Sequence, residues 1–179
     1  MMARILAIAA AVLLGVAQWF IWSYAPLEAT MGLVQKIFYY HLPMSWWGLI
    51  SFFLVFVCGI GYLRTRSPRW DVLAQASAEL GVLFVTLALV TGSVWARAAW
   101  GVWWTWDPRL TTSLIMWFVY MGYLALRSAP MDEERRALAA AVLGVVAFVN
   151  VPFVFFSARL WRSIHPAVLA SESGGLSDK

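Results

Sequence analysis

Cysteine is almost absent from this 179-residue chain. Cys58 alone cannot close an intrachain disulfide, and a four-thiolate metal centre is excluded. It lies in the apolar run SFFLVFVCGIG and reads as a small core residue. Charge is scarce too, at 12% of residues against about 25% in a soluble domain. The 13 basic and 9 acidic side chains leave a net charge of +4. No basic run is long enough to track a phosphate backbone, which argues against nucleic acid as a partner. Histidine is limited to His41 and His165. Two imidazoles without a cysteine or carboxylate cluster cannot complete a tetrahedral zinc site by themselves. There is no internal repeat and no low-complexity segment.

Apolar residues fill the space that charge leaves. They make up 63% of the chain, and the mean hydropathy is +0.76. A soluble domain has about 45–50%, so the excess must face lipid. A helix needs about 20 apolar residues to cross roughly 30 Å of hydrocarbon. Five runs approach that length: Ile5 to Ala25, Trp46 to Leu63, Val72 to Val94, Leu110 to Leu126 and Ala137 to Phe156. The first follows Arg4 but is too long for a signal-peptide core, and reads as an uncleaved anchor. The expected fold is all-α: one membrane domain, a polytopic bundle of five transmembrane helices, with 95–109 as an external tryptophan-rich segment.

Lys and Arg placement sets the orientation. One side holds Arg4, Arg64, Arg66, Arg69, Arg127, Arg135 and Arg136; the other holds Lys36, Arg97, Arg109, Arg159, Arg162 and Lys179. The totals barely differ, but RTRSPRW and RSAPMDEERR are compact basic hairpins of the cytoplasmic kind. The N-terminus is therefore expected inside. Parity then gathers His41, the tryptophans and His165 on one face, whichever face that is.

Trp95, Trp100, Trp103, Trp104 and Trp106 fall within twelve positions. An interfacial aromatic belt accounts for one or two tryptophans per helix end, not five. The alternative is a broad, flat, polarizable surface for a large planar ligand. Asp107 and Arg109 follow, flanking Pro108. The stretch MGLVQKIFYYH reads as a short helix lying on the membrane surface and stopped by Pro43. His165 sits in the loop SARLWRSIHP. Haem fits this set, because the porphyrin supplies four equatorial nitrogens and two imidazoles clamp the iron. Lys36 and Arg109 are positioned to meet the propionates. No CxxCH motif occurs, so haem b held without covalent attachment is expected.

The stretch WGVWWTWDPRLTT resembles the signature of the WWD-domain haem-handling family, and among its branches the CcmC (cytochrome c maturation protein C) type. The resemblance runs from about Val34 to Pro166. It includes IFYYHLPMSWW, LVTGSVWARAAWG and SIHP. The larger haem lyase-type branch shares the signature but carries more spans and histidines. The resemblance implies a bacterial inner-membrane protein, also found in mitochondria. Such a protein presents haem outside and passes it to the chaperone CcmE. Its implied partners are the ABC-transporter subunits CcmA and CcmB and the small protein CcmD. It also implies that His41 and His165 are the iron ligands. The tryptophan domain maps onto Trp100 through Arg109, and the basic residue before the first histidine onto Lys36. The family is six-spanning, whereas Pro166–Lys179 is too polar to cross a bilayer. The chain therefore reads as a short or truncated form. The expected role is a haem holder and delivery platform rather than a catalyst.

Two other classes remain open. A b-type electron-transfer subunit would hold haem between histidines inside spans, and no apolar run contains one. A haem or solute transporter would place ionisable groups along a path, and only Glu79 qualifies.

Overall fold

A computed structural model describes residues 1–160. Among these residues the fold is all-helical, and five helical segments are long and apolar enough to cross a membrane. The first is α1 (Met2–Trp19), extended by a π-helical turn, Phe20–Tyr24. The second begins as a 3₁₀ turn, Leu33–Ile37, and continues as α2 (Phe38–Thr65). Then come α3 (Pro68–Trp100) and α4 (Pro108–Arg127). The last span combines α5 (Glu133–Ala147) and α6 (Asn150–Leu160).

Local chemistry explains the boundaries. Arg66 ends α2 in a left-handed conformation, φ 55°, with its N–H donated to the Tyr62 carbonyl at 2.8 Å. Pro68 then opens α3 where a missing N–H costs nothing. Asp107 caps α4 by accepting the Arg109 N–H at 2.9 Å, again with proline next. The fifth span breaks at Phe148 and restarts at Asn150, whose Nδ2 donates to the Thr112 carbonyl at 3.0 Å. Pro152 therefore falls in the first turn of α6, where proline is tolerated.

Pro43 does not stop a helix, contrary to expectation. It is the sixth residue of α2, where it forfeits one backbone hydrogen bond and crowds the preceding turn, yet the helix runs on through it to Thr65. His41 is consequently part of a spanning helix, not the end of a surface one. The non-helical stretch is also shorter than 95–109. The helix of α3 continues through Trp100, and only 101–107 is non-helical. Alanines at 96, 98 and 99 favour that extension.

The core lies between α2, α3, α4 and the last span. Phe52 stacks on Tyr120 with ring centroids 3.5 Å apart, amid Val55, Ala78, Val82 and Met116. α2 and α3 pack most extensively. A Cβ on Gly48 would lie 2.6 Å from Val85, and one on Gly81 would lie 2.4 Å from Phe52. Small residues let these two helices approach closely, as membrane packing requires. At the end opposite the tryptophans, Arg127 forms a bidentate pair with Asp71 at 2.6 and 2.8 Å, joining α4 to α3. Outward positions are apolar: Leu13, Leu83 and Phe118 are all more than half exposed. α1 differs from the rest because none of its residues is buried.

Candidate functional site

One end of the bundle collects His41, Arg109 and the tryptophans of 95–106. His41, in the first turns of α2, points at α3. Its Nδ1 lies 3.0 Å from the Ala88 carbonyl and 3.2 Å from Thr91 Oγ1. A carbonyl only accepts, so Nδ1 must carry the proton. That leaves the Nε2 lone pair as the ligating position. Fixing one ring nitrogen with a carbonyl is how metal-binding histidines are commonly oriented. Ser45 Oγ, one turn along α2, is 3.4 Å from Nε2. Gly92 makes room for the ring, since a Cβ there would come within 2.9 Å of His41 Cε1. Arg109, half-buried at the start of α4, is within electrostatic reach of His41.

The tryptophans occupy two settings. Trp95 and Trp100 sit on the last turns of α3, edge to face at 5.1 Å and 83°. Trp95 also donates to Gln35 Oε1 at 3.4 Å, joining α3 to the 3₁₀ turn. Trp104 and Trp106 pair edge to face in the connecting segment, at 5.9 Å and 82°. Trp103 and Trp106 are the outward rings, 59% and 76% exposed. The rings therefore do not form the flat surface expected from sequence. Edge-to-face contact satisfies the ring quadrupoles better than coplanar packing, so three rings brace and two project.

Lys36 also departs from expectation. Its ammonium donates to the Ile21 carbonyl at 2.6 Å and the Trp22 carbonyl at 3.3 Å, and lies 5.3 Å from the Trp22 ring centroid. It is 4% exposed. It seals the C-terminal end of the first helix, where carbonyls lack partners, and does not present a charge to the outer surface. Asp107 is likewise buried and serves as the α4 cap. Arg97 closes α3 by donating to the Gly101 carbonyl, where φ is +76°. His165 lies outside the described residues.

Sequence reasoning missed Ser45, Ala88, Thr91 and Gly92. Ser45 stands four residues after His41, a spacing that places both on one helical face. That signal was hidden by reading Pro43 as a stop. The α3 partners needed a tertiary contact that no local pattern shows.

The model of the heme exporter protein C family matches residues 1–175. This chain belongs to that family. It is 39% identical to the heme exporter protein C of Bradyrhizobium diazoefficiens over 153 residues, 86% of this chain and 58% of the relative. The Haemophilus influenzae protein of the same description is 36% identical over 86% of this chain and 63% of its own length. That of Escherichia coli K12 is 34% identical over 89% and 65%. The chain thus spans about three-fifths of the length of the curated relatives it matches. Family membership bears out the resemblance read from the tryptophan signature.

The donor set suits haem better than a bare ion. Among the described residues no group of three or more His, Cys, Asp and Glu side chains converges. One oriented imidazole at the tryptophan-bearing end of the bundle matches a macrocycle that brings its own equatorial nitrogens.

Proposed function

We propose that this chain holds haem b non-covalently at the outer face of the bacterial inner membrane and hands it to the chaperone CcmE for c-type cytochrome maturation. The ligands in this reading are His41 and His165. Trp103 and Trp106 supply the apolar contact, with Trp95, Trp100 and Trp104 bracing them. Arg109 is the cation for a propionate, and CcmA, CcmB and CcmD are the partner subunits. The observation that carries the reading is the orientation of His41. Its Nδ1–H is committed to the Ala88 carbonyl, and its Nε2 lone pair is left at the tryptophan-rich end. Bound haem supplies the iron for ligation and the planar face for the indoles. The chain's own work is to fix the imidazole, exclude water with aromatic edges and leave one edge open to the recipient.

The test is the optical spectrum of the purified protein. His41→Ala and His165→Ala should each lose haem or change its coordination. Unchanged content and spectrum in both variants would sink the ligand assignment.

Glu79 speaks against the transporter reading. Its carboxylate accepts from Gln75 Nε2 at 2.9 Å and is exposed on the perimeter of the bundle, not along an interior path. The electron-transfer reading gains one point, since His41 does lie in a spanning helix. With two histidines in the chain, however, only one bis-imidazole haem can form.

A further inference from the structure

Ser45 Oγ has one proton and two acceptors within reach. It lies 2.9 Å from the His41 carbonyl and 3.4 Å from His41 Nε2. The carbonyl contact is the ordinary back-bond of a helical serine to the residue four before it. The ring contact is not ordinary, because Nε2 is the nitrogen that the Ala88 carbonyl leaves without a proton. Resting at 3.4 Å, the hydroxyl covers the lone pair only weakly and keeps the shorter bond to the backbone. The histidine is half-buried, so an uncovered lone pair there costs free energy that a nearby donor offsets.

We propose that Ser45 is a positioning residue that sets how readily haem leaves His41. Its hydroxyl proton is shared between the His41 carbonyl and Nε2 when iron is absent, and rests wholly on the carbonyl when iron is bound. The exchange conserves every bond partner. The Nε2 lone pair moves between a hydroxyl proton and iron, the proton stays on Ser45, and no polar atom is stranded in either state. A carrier needs such an arrangement, since a ligand that must be surrendered is surrendered more easily when a substitute partner stands beside it. Gly92 is the permissive element, because its missing side chain lets the ring sit between Ala88 and Ser45. The proposal rests on His41 being an axial ligand.

The experiment is an equilibrium partition of ferric haem between the detergent-solubilised full chain and human serum albumin, read in the Soret band. Ser45→Ala should shift the partition toward this chain by about two- to fivefold, the factor expected of one modest hydrogen bond. Its haem spectrum should match wild type, since both ligands are kept. Ser45→Thr keeps the hydroxyl and should restore the wild-type partition. A Ser45→Ala partition equal to wild type, or shifted toward albumin, overturns the proposal. His41→Ala separates the two ideas. If it loses haem while Ser45→Ala behaves as wild type, only the hydroxyl exchange fails. If it keeps haem and spectrum, the ligand reading fails and takes this proposal with it.

Discussion

At the residue scale, His41 shows how much a single side chain's surroundings decide. The imidazole is held from both sides by α2 and α3, and Gly92 provides the space. Gly92→Ala would ordinarily favour a helix by about 0.5–1 kcal/mol. Here the added methyl meets the ring at 2.9 Å, a clash of the kind that costs about 1–3 kcal/mol. The expected result is a net loss of stability and of haem, measured by thermal melt and by Soret absorbance. Lys36 leads to a contrasting prediction. Its charge is spent on the Ile21 and Trp22 carbonyls. Lys36→Met should leave haem content unchanged while opening the connection between α1 and α2 to limited proteolysis. A large fall in haem content would return Lys36 to the propionates.

At the element scale, the helix ends were harder to read than the helices. Five apolar runs were visible because lipid-facing positions must be apolar on nearly every turn. The extension of the second span back to Leu33 was hidden by Tyr, His, Pro and Ser in FYYHLPMS, which lower hydropathy without breaking a helix. The same holds for Trp95 through Trp100, which look like loop because indoles and Arg97 interrupt the apolar run. Lys36 misled for another reason, since nothing local shows that a cation will fold back onto an earlier helix. The Asp71–Arg127 pair belongs to this scale, as it clamps the far ends of the two helices that carry the tryptophan segment. Arg127→Met leaves the Asp71 carboxylate unpaired and should cost about 3–5 kcal/mol, seen as a lower melting temperature in detergent. Asp71→Asn added to it should recover part of that loss. The connection before α2 has its own polar lock. Glu28 accepts the Met31 and Thr30 N–H groups at 2.5 and 2.8 Å, and these bonds hold its carboxyl below the usual range. A lowered value stabilises the turn above the unfolded pKa, and that contribution fades as pH falls through the folded one. Protection of the Thr30 and Met31 amides, measured relative to their intrinsic exchange rates, should therefore persist at mildly acidic pH and fade as Glu28 takes up its proton.

At the scale of the whole molecule, the chain has two chemically distinct ends. One gathers His41, Arg109 and the indoles. The other gathers Arg64, Arg66, Asp71 and Arg127. Cysteine labelling can assign them to sides of the membrane, because the single natural thiol, Cys58, is buried. Trp103→Cys and Leu27→Cys should react with an impermeant maleimide in intact spheroplasts. Arg66→Cys and Met131→Cys should react only after permeabilisation, and the reverse pattern would invert the orientation. The first helix adds a consequence about assembly order. It buries nothing along its length and meets the bundle through Trp22 to Tyr40, Tyr40 to Gln18 and Lys36 to the backbone. Helices that pack through their sides can find one another inside the bilayer, but a segment fastened at a single tip cannot join until the groups it ties to are in place. The Phe52–Tyr120 stack is thus free to form while α1 still diffuses in lipid, and the three polar ties close last, as a clasp does on a finished bracelet.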